Sequence, residues 1–314
     1  MARAKNPTHP LVWSRRFVQI ALFAFFFYLV LNTTEHPIDR VEGPVTLFFD
    51  INPLVLITTW ITANAVPAIL LLSLITVAVT LIFGRWFCGW VCPFGALHNF
   101  ISSLRGGKLK QRREQAEHSA WQAAKYYVLI AVLVGCLIGV NLAGWLDPFS
   151  FFYRSLTIAV LPLINAGIHG FFTWIYEADP AIFGWHLTSV SEPTYSFLRE
   201  YFLYFEPAYF YGAVVIGLLF AAVVLLNLYR PRFWCRYICP LGATLGVIGK
   251  NPLVRLQKNL DVCNECGLCV VDCQGGAEPQ ADGWKPAECF YCFNCESACP
   301  HDALSLGVGR ESSS

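Results

Sequence analysis

Twelve of the chain's 13 cysteines stand in four tight clusters, and only Cys136 lies apart, inside an apolar run. Two clusters repeat one spacing: Cys263-x2-Cys266-x2-Cys269-x3-Cys273, then Cys289-x2-Cys292-x2-Cys295-x3-Cys299-Pro300. Three thiolates on one tight loop can reach three corners of an iron–sulfur cubane, while the fourth, pointing away, ligates a second cluster. The spacing therefore predicts two [4Fe–4S] centres, one on Cys263, Cys266, Cys269 and Cys299, the other on Cys289, Cys292, Cys295 and Cys273. A zinc knuckle would use four of these thiols, but zinc needs neither the third Cys of each run nor the Cys-Pro ending. Gln274 stands where a proline usually follows, which alters a turn and removes no ligand.

The other two clusters form a repeat. Arg85, Cys88, Cys92, Pro93, Gly95 and Ala96 recur in register as Arg232, Cys235, Cys239, Pro240, Gly242 and Ala243. On a helix, cysteines four apart share a face, and the proline would end or bend that helix. Convergence of Cys88, Cys92, Cys235 and Cys239 across the repeat axis would make a further metal centre. Soft thiolates suit iron–sulfur, copper(I) or zinc; the plain alternative is reduced structural or redox-active thiols.

What holds these clusters is apolar. The 314 residues are 56% hydrophobic and 14% charged, with a mean hydropathy of +0.50, against roughly 25% charged for a soluble domain. Four stretches approach the roughly 20 residues of a membrane span: Phe17 to Asn32, Asn64 to Phe83, Tyr126 to Leu146 and Tyr209 to Leu228. No small-residue cleavage site follows the first, which reads as an uncleaved anchor. Basic residues precede the first span, separate the second from the third (Arg105, Lys108, Lys110, Arg112, Arg113) and follow the fourth, while the other two loops lean acidic. The positive-inside rule then puts both termini and the C-terminal cysteines on the cytoplasmic side.

The fold expected is an α-helical integral membrane protein of the bacterial inner membrane. It has four transmembrane helices in two duplicated halves, plus a C-terminal two-[4Fe–4S] ferredoxin-like domain. The halves run 1–120 and 121–255, the ferredoxin-like domain 256–308 and a flexible tail 309–314. Asp50 to Pro53 and Asp147-Pro148 open matching apolar runs, each broken by a proline (Pro67, Pro162) and short enough to be re-entrant. An aromatic-rich outer loop spans about 165–205. The formal net charge of +1 offers nothing to nucleic acid.

Asp50 and Asp147 could take protons from a quinol, or could cap the helices that follow. Arg154, a charge at membrane depth, is either functional or snorkels to the headgroups. His98 follows the first Cys-Pro motif, but Leu245 replaces it in the second. With one Met, at position 1, and no Cys-x-x-Cys-His site, haem is not expected.

From Phe87 to Ala96, from Trp234 to Ala243 and through both ferredoxin runs, the chain resembles the membrane-bound polyferredoxins of the NapH and NosR type. These are the quinol-dehydrogenase subunit of periplasmic nitrate reductase systems and the nitrous-oxide reductase regulator. The resemblance implies a quinol-dehydrogenase-like redox subunit in a larger complex. It would link the quinone pool to a periplasmic or membrane reductase or a cytochrome. The alternative is a maturation factor that reduces copper for a respiratory enzyme. A transporter built on the repeat would leave eight ferredoxin cysteines unexplained.

Overall fold

The computed structural model describes residues 10–33, 44–178, 181–182, 185–186, 192–197, 212–279 and 283–308. The expected tail 309–314, the start of the fourth span at Tyr209 and parts of the outer loop, its end among them, lie outside them. The chain divides into two compact units. One comprises the chain up to Phe151 together with Val223 onward, the other Phe152–Ala222.

Among the described residues, three helical stretches are long and apolar enough to cross a membrane: Pro10–Leu31, Leu109–Leu137 and Pro148–Ala178. Two differ from the sequence expectation. The third expected span stops at Leu137, because Gly139 turns the chain with a φ of +84° that glycine adopts without strain. Upstream that span opens with a 3-10 turn, Ala120–Ala123, and Leu109–Ala116 forms a separate short helix that ends where Glu117 turns extended. The run from Pro148, expected to be re-entrant, stays helical to Ala178 and takes in the first part of the expected loop. Pro162 does not break it. The preceding turn, Leu156–Val160, widens to π geometry, which relieves the clash a proline makes with the carbonyl four residues back.

The second and fourth expected spans fall in shorter apolar helices, Ala68–Phe83 and Ala213–Tyr229. At 1.5 Å per residue each reaches about 25 Å, under the roughly 30 Å of a hydrocarbon core. The second starts late because Pro67 forces Val66 out of helical geometry.

The counterpart of Asp147 proves to be Asn52 rather than Asp50. Asn52 caps Pro53–Ala63, its Oδ1 accepting from Leu54 N at 2.9 Å, and Pro53 fills the first helical position. Asp147 caps the Pro148 helix, accepting from Phe149 N at 3.0 Å and Ser150 N at 3.2 Å. Asn52 Nδ2 donates to the other oxygen of Asp147 at 2.6 Å, so the two caps tie the repeat together. Both residues are wholly buried.

In the first unit, short helices Trp86–Trp90 and Pro93–Ser103 carry the first cysteine pair, and Phe233–Tyr237 and Pro240–Ile248 carry the second. The ferredoxin runs lie between two antiparallel strands, Val254–Lys258 and Leu304–Val308. Leu256, Cys269, Val270 and Leu304 form a small core there. In the second unit, His169 Nδ1 and the Tyr195 hydroxyl stand 2.7 Å apart and Phe152 stacks on Phe220.

Asp147→Ala removes a cap worth about 1 kcal/mol and strands the buried Asn52 amide at a further cost of about 1–3 kcal/mol. Thermal unfolding in detergent should show a lowered midpoint; an unchanged midpoint would contradict this role for the pair.

Candidate iron–sulfur sites

Cys92 and Cys239 occupy equivalent helix starts. Each Sγ accepts the amide three residues on, from Gly95 at 3.3 Å and Gly242 at 3.2 Å, with proline at the first helical position. The helix N-terminus favours negative charge on that sulfur. Cys88 and Cys235 lie one short helix upstream, and all four thiols are buried. Burial pushes Cys92 and Cys239 well above the ordinary thiol range, and Cys235 and Cys88 raise both further, so the two pairs are neighbours across the repeat.

The halves are cross-braced by exchanged arginines. Arg85 Nη2 donates to Cys235 O at 3.0 Å, and Arg232 Nη1 donates to Cys88 O at 2.8 Å. Both guanidinium groups are fully buried. The glycines are part of the fit: a Cβ on Gly95 would lie 2.7 Å from Cys88 O, and one on Gly242 would lie 2.6 Å from Arg85 Nη2. Among the described residues Arg232 Nε and Nη2 and Arg85 Nε find no partner. A cluster held by four thiolates carries net negative charge, and these unsatisfied cations suit it. No group of three or more Cys, His, Asp or Glu among the described residues could hold a single metal ion. In a cubane each thiolate takes its own iron, so the donors need not meet at one point.

The ferredoxin segment repeats too, in its backbone. Glu265 and Gly267 in the first run, and Tyr291 and Phe293 in the second, have positive φ and flank the middle cysteine of each loop. Cys273 Sγ accepts from Ala277 N, and Cys299 Sγ from Ala303 N, both at 3.3 Å. Cys263, Cys266, Cys269 and Cys299 line one pocket, so the second run lends its last cysteine to the first. Burial pushes Cys269 up to about 12, with Cys266 and Cys299 adding to the rise. Cys295 is raised by burial and by Cys292, Cys289 and Cys273, which groups the other four thiols in the same way. Thiols this protonated must each release a proton to ligate iron.

The second run lies directly against the twin motif. Phe290 sits between the exchanged arginines, its ring centroid 4.8 Å from each guanidinium carbon. The Phe290 carbonyl rests on Gly89, where a Cβ would approach it to 2.1 Å. Trp90 Nε1 donates to Tyr291 O at 2.9 Å, and the Tyr291 hydroxyl donates to Val254 O at 2.7 Å. Glu288 is buried and paired with Arg85 at 3.3 Å and with Lys125. Sequence patterning marked Arg85 and Arg232 as repeated, but gave Phe290 no role.

Of the remaining candidates, Asp147 is the cap described above, Asp50 is buried in Leu47–Asp50, and Arg154 belongs to the second unit and is half-buried. His98 is a packing residue: its Nδ1 lies 2.7 Å from Asn227 Oδ1, and Asn227 also accepts from Phe233 N.

Gly89→Ala should dislodge the second ferredoxin run, seen as loss of bound iron and faster proteolysis of the C-terminal segment. Gly106→Ala, with nothing within 4 Å of the new carbon, should change neither. Equal iron content in both variants would contradict the close approach at Gly89.

A family model described as a 4Fe-4S binding domain matches residues 65–112 and 212–260, the two segments that carry the twin motif. The chain is 26% identical over 283 residues to an uncharacterized protein of Methanocaldococcus jannaschii, covering 89% of this chain and 87% of that one. It is 26% identical over 279 residues to the ferredoxin-type protein NapH of Escherichia coli, covering 83% of this chain and 77% of NapH. With the regulatory protein NosR of Pseudomonas aeruginosa it shares 28% identity over 235 residues, 73% of this chain but 26% of NosR. No solved structure matches it. In these comparisons the chain is similar to the membrane-associated polyferredoxins of the NapH and NosR kind, and its twin motif matches a 4Fe-4S binding domain.

Proposed function

We propose that this protein is a redox subunit of the inner membrane, carrying electrons between the quinone pool and a partner reductase. In this reading its halves, 1–120 and 121–255, supply four spans, and residues 256–308 form a cytoplasmic ferredoxin-like domain. Cys263, Cys266, Cys269 and Cys299 hold one [4Fe–4S] cluster, and Cys289, Cys292, Cys295 and Cys273 hold the other. Cys88, Cys92, Cys235 and Cys239 hold a third iron–sulfur centre at the membrane surface. Such clusters accept and release single electrons with little change in shape.

The observation that carries the reading is the packing of the second ferredoxin run against the twin motif that holds the four buried thiols. The chain's own residues prepare that junction. Phe87, Phe94, Phe149 and Trp234 are buried around the twin motif and exclude water from it. In so dry a site the charges of Arg85 and Arg232 act at low dielectric and favour the thiolate form. Phe290, between them, keeps the gap to the ferredoxin segment filled by a π system rather than by solvent. Glu288 neutralises part of the positive charge of Arg85 and Lys125, so removing it should leave uncompensated buried cations.

Asp50 and Asp147 in one unit and Arg154 in the other stay candidates for quinol contact, with Asp147 committed to its cap. The copper-maturation alternative would place copper(I) on the same four membrane thiols, and metal content separates the two.

Anaerobically purified protein should hold about twelve irons with matching labile sulfide, falling to about eight when Cys88, Cys92, Cys235 and Cys239 are all changed to Ser. About eight in both proteins, with copper bound by the wild type alone, would favour maturation. A short-chain quinol should bleach the visible iron–sulfur absorption of the wild type. Bleaching by dithionite but not by quinol would overturn the link to the quinone pool.

A further inference from the structure

A cavity of about 810 Å³ opens beside the second ferredoxin run, on the side of the N-terminal helix. One wall is cationic. Arg15, Arg16, Arg105 and Arg112 all line it, against the single carboxylate of Asp272, which Arg112 already pairs at 3.1 Å. Arg15 is only 1% exposed, and its Nη2 donates to Asn294 Oδ1 at 3.1 Å. Its Nε and Nη1 have no partner among the described residues, nor do Arg105 Nε and Nη1 or Arg112 Nε. Burial and the crowding of Arg112 and Arg236 hold the Arg105 guanidinium below its ordinary value, and the one carboxylate of Asp272 offsets only part of this.

The opposite rim is apolar and open. Ile20 is 70% exposed and Phe100 60% exposed, and both line the cavity. Ile20 continues the apolar face of Pro10–Leu31, and Arg15 and Arg16 sit where that face begins. Buried donors at the depth where a span starts, with a greasy rim facing along the span, match a phosphate head on an acyl tail. Basic pockets of this kind at the cytoplasmic ends of helices suit anionic headgroups.

We propose that this cavity binds an anionic phospholipid. Its phosphate takes the unpartnered N–H groups of Arg15 and Arg105, and an acyl chain runs along Ile20 and Phe100. Because Asp272 and Asn294 belong to the ferredoxin segment, the bound lipid fastens that segment to the membrane surface. Free phosphate compounds share the head chemistry but lack the tail, so the apolar rim favours the lipid.

The test is native mass spectrometry of the full iron-loaded chain in detergent, titrated separately with phosphatidylglycerol, phosphatidylcholine and inorganic phosphate. Phosphatidylglycerol should bind with one-to-one stoichiometry, at least about ten-fold tighter than phosphatidylcholine. Arg105→Gln, at a half-exposed position, should weaken it about ten-fold with iron content unchanged, and Arg15→Gln should weaken it further. Equal binding of the two lipids, or phosphatidylglycerol binding untouched by Arg105→Gln, would overturn the proposal. Inorganic phosphate binding as tightly as phosphatidylglycerol would assign the arginines to a soluble ligand and overturn it too. Lipid mass is read without any electron donor, so a failed quinol reaction leaves this result standing.

Discussion

Two fully buried guanidinium groups hold the redox half of this molecule together. Arg85 starts in the first copy of the motif and ends on the Cys235 carbonyl of the second; Arg232 makes the reverse journey to Cys88. A buried arginine is costly unless its donors are met, so each can be tolerated only if the other half of the repeat is in place. Phe290 then stacks between the two, and its neighbours Glu288 and Tyr291 tie the ferredoxin segment to the same pair of motifs. Pairing of the halves, closure of the thiol site and docking of the ferredoxin segment are consequences of one exchange.

The same constraint explains the small residues. Gly89, Gly95 and Gly242 are not there for backbone freedom, since none of them has positive φ. They are there because carbonyls and guanidinium groups pass where a Cβ would stand. Glycine in a helix costs up to about 1 kcal/mol, a modest loss against the buried interactions that the close approach permits. At the Asn52 and Asp147 caps the logic is similar. Asn52 and Asp147 each satisfy a helix end and then each other, so a buried carboxylate meets donors on both oxygens.

Much of this was legible in the chain before any coordinates. Cysteine spacing is local, and it pointed to two crossed groups of ferredoxin thiols. The matched registers at Arg85 and Arg232 pointed to two-fold pairing of the remaining four. The membrane elements were harder to read, because hydropathy reports composition and not where a helix ends. Gly139 and Pro67 shortened two expected spans, while the π turn before Pro162 let a third helix run on through a proline that should have stopped it. Asp50 and Asn52 are equally good capping types, and it is the position directly before the proline that makes Asn52 the cap. Phe290 carried no signal, and Glu288 counted only as one acid of the ferredoxin segment, since their importance lies in contacts some 200 residues away in sequence.

The central claim is that the four membrane cysteines and the ferredoxin runs form one coupled redox assembly. Low-temperature EPR of the fully reduced chain, compared with a Cys239→Ser variant, tests it directly. Neighbouring paramagnetic centres perturb one another, so the wild type should give a broadened interaction spectrum. The substitution should simplify that spectrum although all eight ferredoxin ligands are intact. Superimposable spectra from the two proteins would mean that the twin motif holds no centre in contact with the ferredoxin segment, and the account would fail at its core.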